Sequence, residues 1–384
     1  MEYLYNRRLF REEHEQFRTT VRRFFVQFVE PNIDRWIEHG SIDPELWVQA
    51  GKLGILCTDI PEAYGGAGGD FLHRVVLVQE MGYSPAGACI SSAIVGDFLA
   101  ADILHHASEA QKRDILPKMA TGALRVCFGM TEPDSGSDPA SMRTTAVRDG
   151  DHYVINGAKT YISNSLSAGL ILVACKTAPE LGNRGITLFF VEPDRPGFRR
   201  GRKLKKMGMN ACETGELFFD DVRVPASSMY GPENGGFKMM MASLNQDRLI
   251  WPLLGHASAQ RAFDETVAFV QNRRAFGQRV MDFQNTQFRL AEMKTDLAVG
   301  KSFLDDCLRA WTETGHLDPD LCAMAKLWLP EMEGRVIDRC VQLHGGAGYM
   351  DEYPVSRLYT AARLHRIFAG TDEIMRMVVG RTIR

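Results

Sequence analysis

The chain contains no run of about 18 uninterrupted apolar residues, so no membrane-spanning helix is expected. It also has no charge excess. Lys+Arg 45 against Asp+Glu 48 leave a net charge of -3, which offers no global basic field to nucleic acid. The eight cysteines form no CxxC pair and read as buried thiols rather than a disulfide framework. The ten histidines give neither HExxH nor a Cys/His cluster of zinc spacing, so no metal site is expected. The segment Met1–Glu15 mixes Arg7, Arg8 and Arg11 with Glu2, Glu12, Glu13 and Glu15 and has no apolar stretch. That fits neither a secretory signal nor a transit peptide, and a cytoplasmic protein is the expectation. Standard nucleotide motifs are missing as well. No GxGxxG follows a strand, Gly157-Ala158-Lys159-Thr160 lacks the glycines of a P-loop, and GxSxG is absent.

What is present is an ordinary globular balance: 384 residues, 45% hydrophobic and 24% charged, enough for two or three domains. The period of the apolar pattern divides the chain into residues 1–125, 126–232 and 233–384. The first block is helical. In Glu12–Glu30 the residues Phe17, Val21, Phe24, Phe25, Phe28 and Val29 share one face, and Pro31 ends the run. Further helices are read over Pro44–Leu53, Phe71–Met81, Ile90–His105 and Ala110–Ala120. The second block turns strand-like. Arg143–Arg148 and His152–Asn156 flank the hairpin signal Asp149-Gly150, and Asn156-Gly157 reads as another turn. Leu170–Cys175, Ile186–Val191, Leu217–Phe219 and Val222–Val224 complete a small antiparallel β domain or barrel. The third block carries four long helical patterns, Phe237–Asn272, Asn285–Thr314, Pro319–Gly345 and roughly Pro354–Arg381, as in an up-and-down four-helix bundle. Pro252 lies inside the first of these and should kink it or be absorbed at some cost.

One carboxylate stands out. Positions 240, 244, 247, 251 and 254 share a helix face, and Met240, Leu244, Trp251 and Leu254 surround Asp247. A carboxylate on an apolar stripe loses solvation. Two readings follow: a pair with a nearby Arg at the rim of the stripe, or a functional group. The segment Cys127–Asp138 is rich in small and hydroxyl residues. It reads either as a loop with Asx turns or as a donor set for an anion or a planar heterocycle. Gln342–Tyr349 reads as a glycine C-cap or as close backbone approach to a phosphate. In Arg366–Met375, Gly370-Thr371 breaks and recaps a helix.

Taken in order, five segments resemble the acyl-CoA dehydrogenase family of flavoproteins, over nearly the whole chain. They are Thr131–Asp138, Asn156–Asn164, Arg273–Gly277, Gln342–Gly346 and Ala369–Thr371. The resemblance implies a helical N-terminal domain, an antiparallel β middle domain and a C-terminal four-helix bundle. It implies FAD held between them and a homotetramer built as a dimer of dimers. Phe128, Met130, Thr131, Tyr161 and Ser163 would line the flavin ring. Arg273, Phe276, Gln284, Gln342 and Gly346 would hold the ADP half from the neighbouring subunit, with Thr371 and Glu373 completing that site. Ser137, Arg248, Phe98, Trp251, Phe368 and Gly370 would meet the substrate, and by analogy of position Ile94, Val95 and Leu99 would line its pocket. Tyr161 stands where the family commonly has Trp or Phe, and Asp134 where it usually has Gly.

The reaction the resemblance implies removes an α-proton from an acyl thioester while the β-hydride passes to flavin N5. Many members place the basic Glu directly before the Gly-Thr of the last motif. Here that residue is Ala369, which offers only its backbone N–H to the thioester carbonyl. The long-chain and isovaleryl branches place a Glu on the first bundle helix just before an Arg, and here that position is Asp247, followed by Arg248. Asp is shorter than Glu by about 1.5 Å, and a displacement of about 1 Å can cost a hundredfold in rate. Three readings stay open: a closer helix aided by Pro252, a substrate whose acidic carbon comes nearer, or drift to another flavin reaction. An acyl-CoA is the implied substrate and an electron-transfer flavoprotein the implied acceptor. The alternatives are an acyl-carrier thioester, for which the basic stretch 195–206 would be a docking surface, and oxidase or monooxygenase chemistry on the same fold.

Overall fold

The computed structural model describes residues 9–316 and 318–383, and all of their side chains except those of residues 95 and 96, so the pocket role expected of Val95 lies outside the described set. The N-terminal helices are α1 (Glu12–Phe24), α2 (Ile33–His39), α3 (Pro44–Lys52), α4 (Phe71–Tyr83), α5 (Pro85–His106) and α6 (Glu109–Ala120). The helix read over Glu12–Glu30 changes winding at Phe25. Phe25–Val29 is a π turn and Glu30–Asn32 a 3-10 turn before α2, which the sequence reading missed. Pro31 has no N–H to return to the previous turn, so the chain rewinds rather than stopping. Asp70 caps α4 by accepting the N–H groups of Leu72 and His73 at 3.0 and 3.2 Å. Helix α5 has the length and apolar composition of a membrane span, contrary to expectation, yet its side chains are mostly packed inside the chain.

The middle block is one eight-stranded sheet of β1 (Val126–Gly129), β2 (Thr145–Asp149), β3 (His152–Ser163), β4 (Leu170–Lys176), β5 (Ile186–Val191), β6 (Phe198–Lys203), β7 (Thr214–Pro225) and β8 (Met229–Tyr230). The order is β6-β7-β3-β2-β4-β5-β8, with β1 beside β4. Most pairings are antiparallel. β1 and β2 meet β4 in parallel, which makes the sheet mixed. The Asp149-Gly150 hairpin forms, pairing Arg148 with Tyr153 and Asp149 with His152.

Asn156-Gly157 is not a turn. It is a bulge inside β3, opposite a matching irregularity at Asp221 that joins the two short segments 217–219 and 222–224 into the single strand β7. Asn156 and Asp221 exchange hydrogen bonds across it at 2.9 and 2.8 Å. Gly157 has φ +150°, and a Cβ there would stand 2.7 Å from the Thr144 Cα. A glycine turn signal and a glycine bulge signal look alike in sequence, because both report a backbone shape that a side chain forbids.

The C-terminal block comprises α7 (Gly236–Asn272), the small hairpin β9 (Arg274–Ala275) and β10 (Gln278–Arg279), α8 (Gln284–Thr314), α9 (Pro319–His344), α10 (Pro354–Ala362) and α11 (Asp372–Thr382). The fourth bundle helix expected over 354–381 is in fact two, broken at 363–371 where Ala369 and Gly370 both have positive φ. Helix α7 runs through Pro252 without interruption. Gly82 lets α4 lie against it, since a Cβ there would meet the Leu254 carbonyl oxygen at 2.3 Å. One core spans α1, α4, α5, α7, α8 and α9; a second joins α5, the sheet and the start of α7. All eight cysteines are buried and free, as the spacing implied.

Gly157→Val is expected to lower the free energy of urea unfolding by about 1–3 kcal/mol through strain and overpacking at the bulge. An unchanged midpoint would show that the bulge can slide.

Candidate active site

Asp247 sits where α7 passes from one core to the other. Met240, two turns earlier on the same face, is buried against the sheet, and Trp251, one turn later, is buried in the bundle. The Asp247 carboxyl is half-buried. Among the described residues it makes no hydrogen bond or ion pair. Arg248 does not neutralise it: Arg248 Nη1 donates to Asn245 Oδ1 at 3.2 Å, and its buried Nε has no partner among the described residues. Burial first, and then the nearby Asp102 charge, push the Asp247 carboxyl up to about 7; Arg74 and Arg248 oppose the rise. The group is therefore poised to take up a proton near neutral pH.

Residues missed in the sequence shape this environment. Arg74 on α4 is buried, donates to Asp59 Oδ1 at 2.7 Å and to Gln246 Oε1 at 3.3 Å, and lies 5.7 Å over the Phe98 ring. Asp102 on α5 accepts from Ser243, one turn before Asp247. Asp97, also on α5, takes the N–H of Cys57 at 2.8 Å, and burial pushes it up to about 6. The available signal was Arg74 itself, a charge inside the apolar run Leu72–Val78.

An aromatic row leads from this cluster to the last motif. Phe98 meets Trp251 at 6.0 Å between ring centroids, and Trp251 meets Phe368 at 4.3 Å. Beside Phe368, Ala369 is held at φ +52°, a conformation that costs a residue with a side chain roughly 1–2 kcal/mol. Its N–H makes no backbone hydrogen bond among the described residues. Gly370 follows at φ +105°, and Thr371 caps α11 by accepting the Ile374 N–H at 3.4 Å. The structure thus links Arg74, Phe98, Trp251 and Phe368 through successive contacts, with Ala369 next in the chain. Ser137 is exposed on the loop after β1.

The proposed flavin residues form two groups. Thr131 accepts the Thr160 N–H at 2.9 Å, which joins the loop after β1 to β3. Lys159, wholly buried, donates to the Met130 carbonyl at 3.1 Å and to Glu132 at 2.8 Å. Burial opposes ionisation of Glu132, but the Lys159 ammonium and the N–H groups of Thr144 and Arg143 more than offset it and hold the carboxyl below its usual range. At the second bulge of β3, Tyr161 is turned out at φ +59° and is 69% exposed; Phe128, Met130 and Ser163 are half-buried nearby in sequence. The second group is Arg273, Phe276, Gln284, Gln342 and Gly346, exposed at the far end of the bundle, where Phe276 is 98% exposed and a Cβ at Gly346 would meet nothing. Arg273 and His344 line a cleft of ≈ 450 Å³.

Thr371 and Glu373 do not join that second group. They lie near Lys326 on α9, and sixteen residues of helix, roughly 24 Å, separate Lys326 from Gln342. One chain does not assemble the whole set. The donors and open faces nonetheless suit a dinucleotide cofactor: an unstacked aromatic face and hydroxyls for a planar ring, and an arginine with open glycine backbone for phosphates.

Models of the acyl-CoA dehydrogenase N-terminal, middle and C-terminal domains match residues 11–123, 127–222 and 234–384. The long-chain specific acyl-CoA dehydrogenase of Rattus norvegicus is 41% identical over 98% of this chain and 88% of that protein. The isovaleryl-CoA dehydrogenase of Pongo abelii is 35% identical over 96% and 88%. A solved acyl-CoA dehydrogenase from Geobacillus kaustophilus superposes with TM-score 0.92 at 42% identity, covering 97% of this chain and 98% of that one. Also similar are a Mycobacterium smegmatis glutaryl-CoA dehydrogenase in complex with FADH2 (30% identity, TM-score 0.90, 98% and 95% covered) and a prolyl acyl carrier protein oxidase (27%, 0.89, 97% and 99%). Helices, mixed sheet and helices in this order make the three-domain fold of these proteins. The chain belongs to the acyl-CoA dehydrogenase family of flavoprotein oxidoreductases.

Lys159→Met would leave Glu132 buried without its counter-charge. A loss of about 3–5 kcal/mol in unfolding free energy is expected from denaturant titration. A loss under about 1 kcal/mol, the range of a surface pair, would contradict the pairing described above.

Proposed function

We propose that this enzyme removes the α-proton of an acyl-CoA with Asp247 and polarises the thioester carbonyl with the Ala369 N–H, giving the 2-enoyl thioester. The observation that carries this reading is a carboxyl with no recorded partner, pushed up to about 7, on the helix face that continues into Trp251. The match to long-chain and isovaleryl relatives over nearly the full length supports it. FAD, when bound, supplies the two-electron acceptor for the β-hydride. Phe128, Met130, Thr131, Tyr161 and Ser163 would contact its ring, and Arg273, Phe276, Gln284, Gln342 and Gly346 its ADP half. The span along α9 supports drawing the second set from a neighbouring chain, in a homotetramer of paired dimers. We place the domain boundaries after residues 125 and 232, where helix gives way to strand and strand to helix.

Asp247 then does two things. It accepts the proton in its ionised form, and it gives up ionisation readily enough to hold that proton. Arg74 and Asp102 set the balance from opposite sides. Phe98, Trp251, Phe368 and Gly370 would flank the acyl chain, with Ser137 and Arg248 toward its polar end. An electron-transfer flavoprotein is the proposed acceptor.

A carrier-bound acyl group is the second reading, favoured by the likeness to the carrier protein oxidase. The basic stretch 195–206 does not add to it. Arg200 donates to the carbonyls of Ser165 and Ala168, Lys206 to Cys212 and Thr214, and Lys203 to Gly40, so much of its charge is engaged within the chain.

Anaerobic bleaching of the FAD-loaded enzyme by a panel of acyl-CoA and acyl-carrier thioesters tests both readings. Wild type should bleach rapidly and Asp247→Asn should be slower by several orders of magnitude; equal rates would remove Asp247 from the mechanism. Because the base must be ionised, kcat/KM should rise as pH passes through about 7. The folded value lies above the unfolded one of about 4, so this group favours the fold at low pH and that contribution is lost between about 4 and about 7. Asp247→Asn should therefore be at least as heat-stable as wild type at pH 8, whereas a structurally paired Asp would give a less stable variant. Phe276→Asp, at an exposed position, should leave the monomer's fold intact yet weaken both dimerisation and FAD retention. Normal retention on gel filtration would contradict the two-chain site.

A further inference from the structure

Lys326 is fully buried on α9, and among the described residues no carboxylate lies within 4.0 Å of its nitrogen. Its hydrogen bonds go to main chain: Nζ donates to the His365 carbonyl at 2.5 Å and to the Gly370 carbonyl at 3.2 Å, and it lies 5.9 Å from the Phe368 ring centroid. These two carbonyls bracket Phe368 and Ala369. Seven residues further along the same helix, Glu333 holds the His365 ring at 2.8 Å. The break between α10 and α11 is thus tied to α9 at both of its ends, with the left-handed Ala369 in between.

We propose that Lys326 is a positioning residue for the reaction: by clamping the His365 and Gly370 carbonyls it keeps Ala369 in the left-handed conformation that presents its N–H to the thioester. This rests on the reading above that the Ala369 N–H polarises the substrate carbonyl. A bare loop of this shape would relax, since a residue with a side chain prefers negative φ and nothing else described bonds the Ala369 amide. An ammonium between two carbonyls gives charge-assisted hydrogen bonds, stronger than neutral ones, in a place water does not reach. The charged groups facing Lys326 are Arg248 from α7, Glu333 from its own helix, Arg366 from the preceding turn and Asp372 at the start of α11. Burial dominates over them and brings the ammonium down to about 8. The clamp should therefore weaken as pH rises through that value.

The test reads carbonyl polarisation apart from turnover. An enoyl-CoA product is bound at saturation to the FAD-loaded enzyme, and its thioester carbonyl stretch is followed by Raman difference spectroscopy. Wild type should lower the stretch relative to free ligand, and Asp247→Asn should lower it equally, since that variant loses only the base. Lys326→Met should return it toward the free value, with kcat reduced roughly 10²-fold and KM little changed, the effect expected of a donor displaced by about 1 Å. Lys326→Arg, which keeps charge and donors, should restore much of the shift and carry the alkaline fall of kcat to higher pH. A Lys326→Met enzyme with the wild-type stretch and kcat overturns the proposal. If that variant does not fold, a wild-type stretch that stays constant as pH passes through about 8 overturns it equally. No lowering in wild type itself would instead overturn the role given to Ala369, while rapid turnover by Asp247→Asn would overturn the base alone.

Discussion

A half-buried carboxyl group with no counter-ion among the described residues is the constraint around which this enzyme is organised. Ionised, Asp247 gives up solvation that no recorded hydrogen bond returns. Protonated, it fits its surroundings. The protein keeps it between these states. Asp102, held by Ser243, favours the protonated form, while Arg74, drawn to Asp59 and Gln246, favours the ionised one. A direct Arg74–Asp247 pair would lock the carboxyl in its charged form and a purely apolar pocket would lock it neutral. The buried Arg74 guanidinium, bonded to Asp59 and Gln246, does neither.

Two buried lysines do parallel work at the two loops that matter. Lys159 joins the Met130 carbonyl to Glu132 beneath the segment assigned to the cofactor ring, and Lys326 joins the His365 and Gly370 carbonyls around Ala369. Lys159 satisfies one loop carbonyl and one carboxylate, Lys326 two loop carbonyls, and each does so from a regular element, β3 or α9. Rigid elements thereby dictate the shape of loops that have no regular hydrogen bonding of their own.

Helices α7 and α9 set the distances. Helix α7 carries Asp247 from the sheet-side core into the bundle, and Gly82 allows α4 close enough to bring Arg74 beside it. Helix α9 places Lys326 near one end and Gln342 at the other, which keeps Thr371 and Glu373 apart from Arg273 and Phe276 within one chain. The exposed Phe276 and open Gly346 therefore stand apart from Thr371 and Glu373 on the chain's own fold.

Periodicity alone located most of the long helices, the strand block and the anomalous Asp247, because an amphipathic face is a local property repeated every few residues. Local chemistry likewise marked the Asp149-Gly150 hairpin and the special backbone at Gly157 and Gly370. It misjudged Asn156-Gly157, which looks like a turn until a facing irregularity in β7 makes it a bulge, and it ran one helix through 363–371, where Ala369 carries no breaking signal of its own. The partners of Asp247 were out of reach: Arg74, Asp102 and Asp97 come from helices far away in the chain, and Lys326 reads in sequence as one more helical lysine. Which charges meet in the interior depends on how helices cross, and that is decided only when the apolar faces pack.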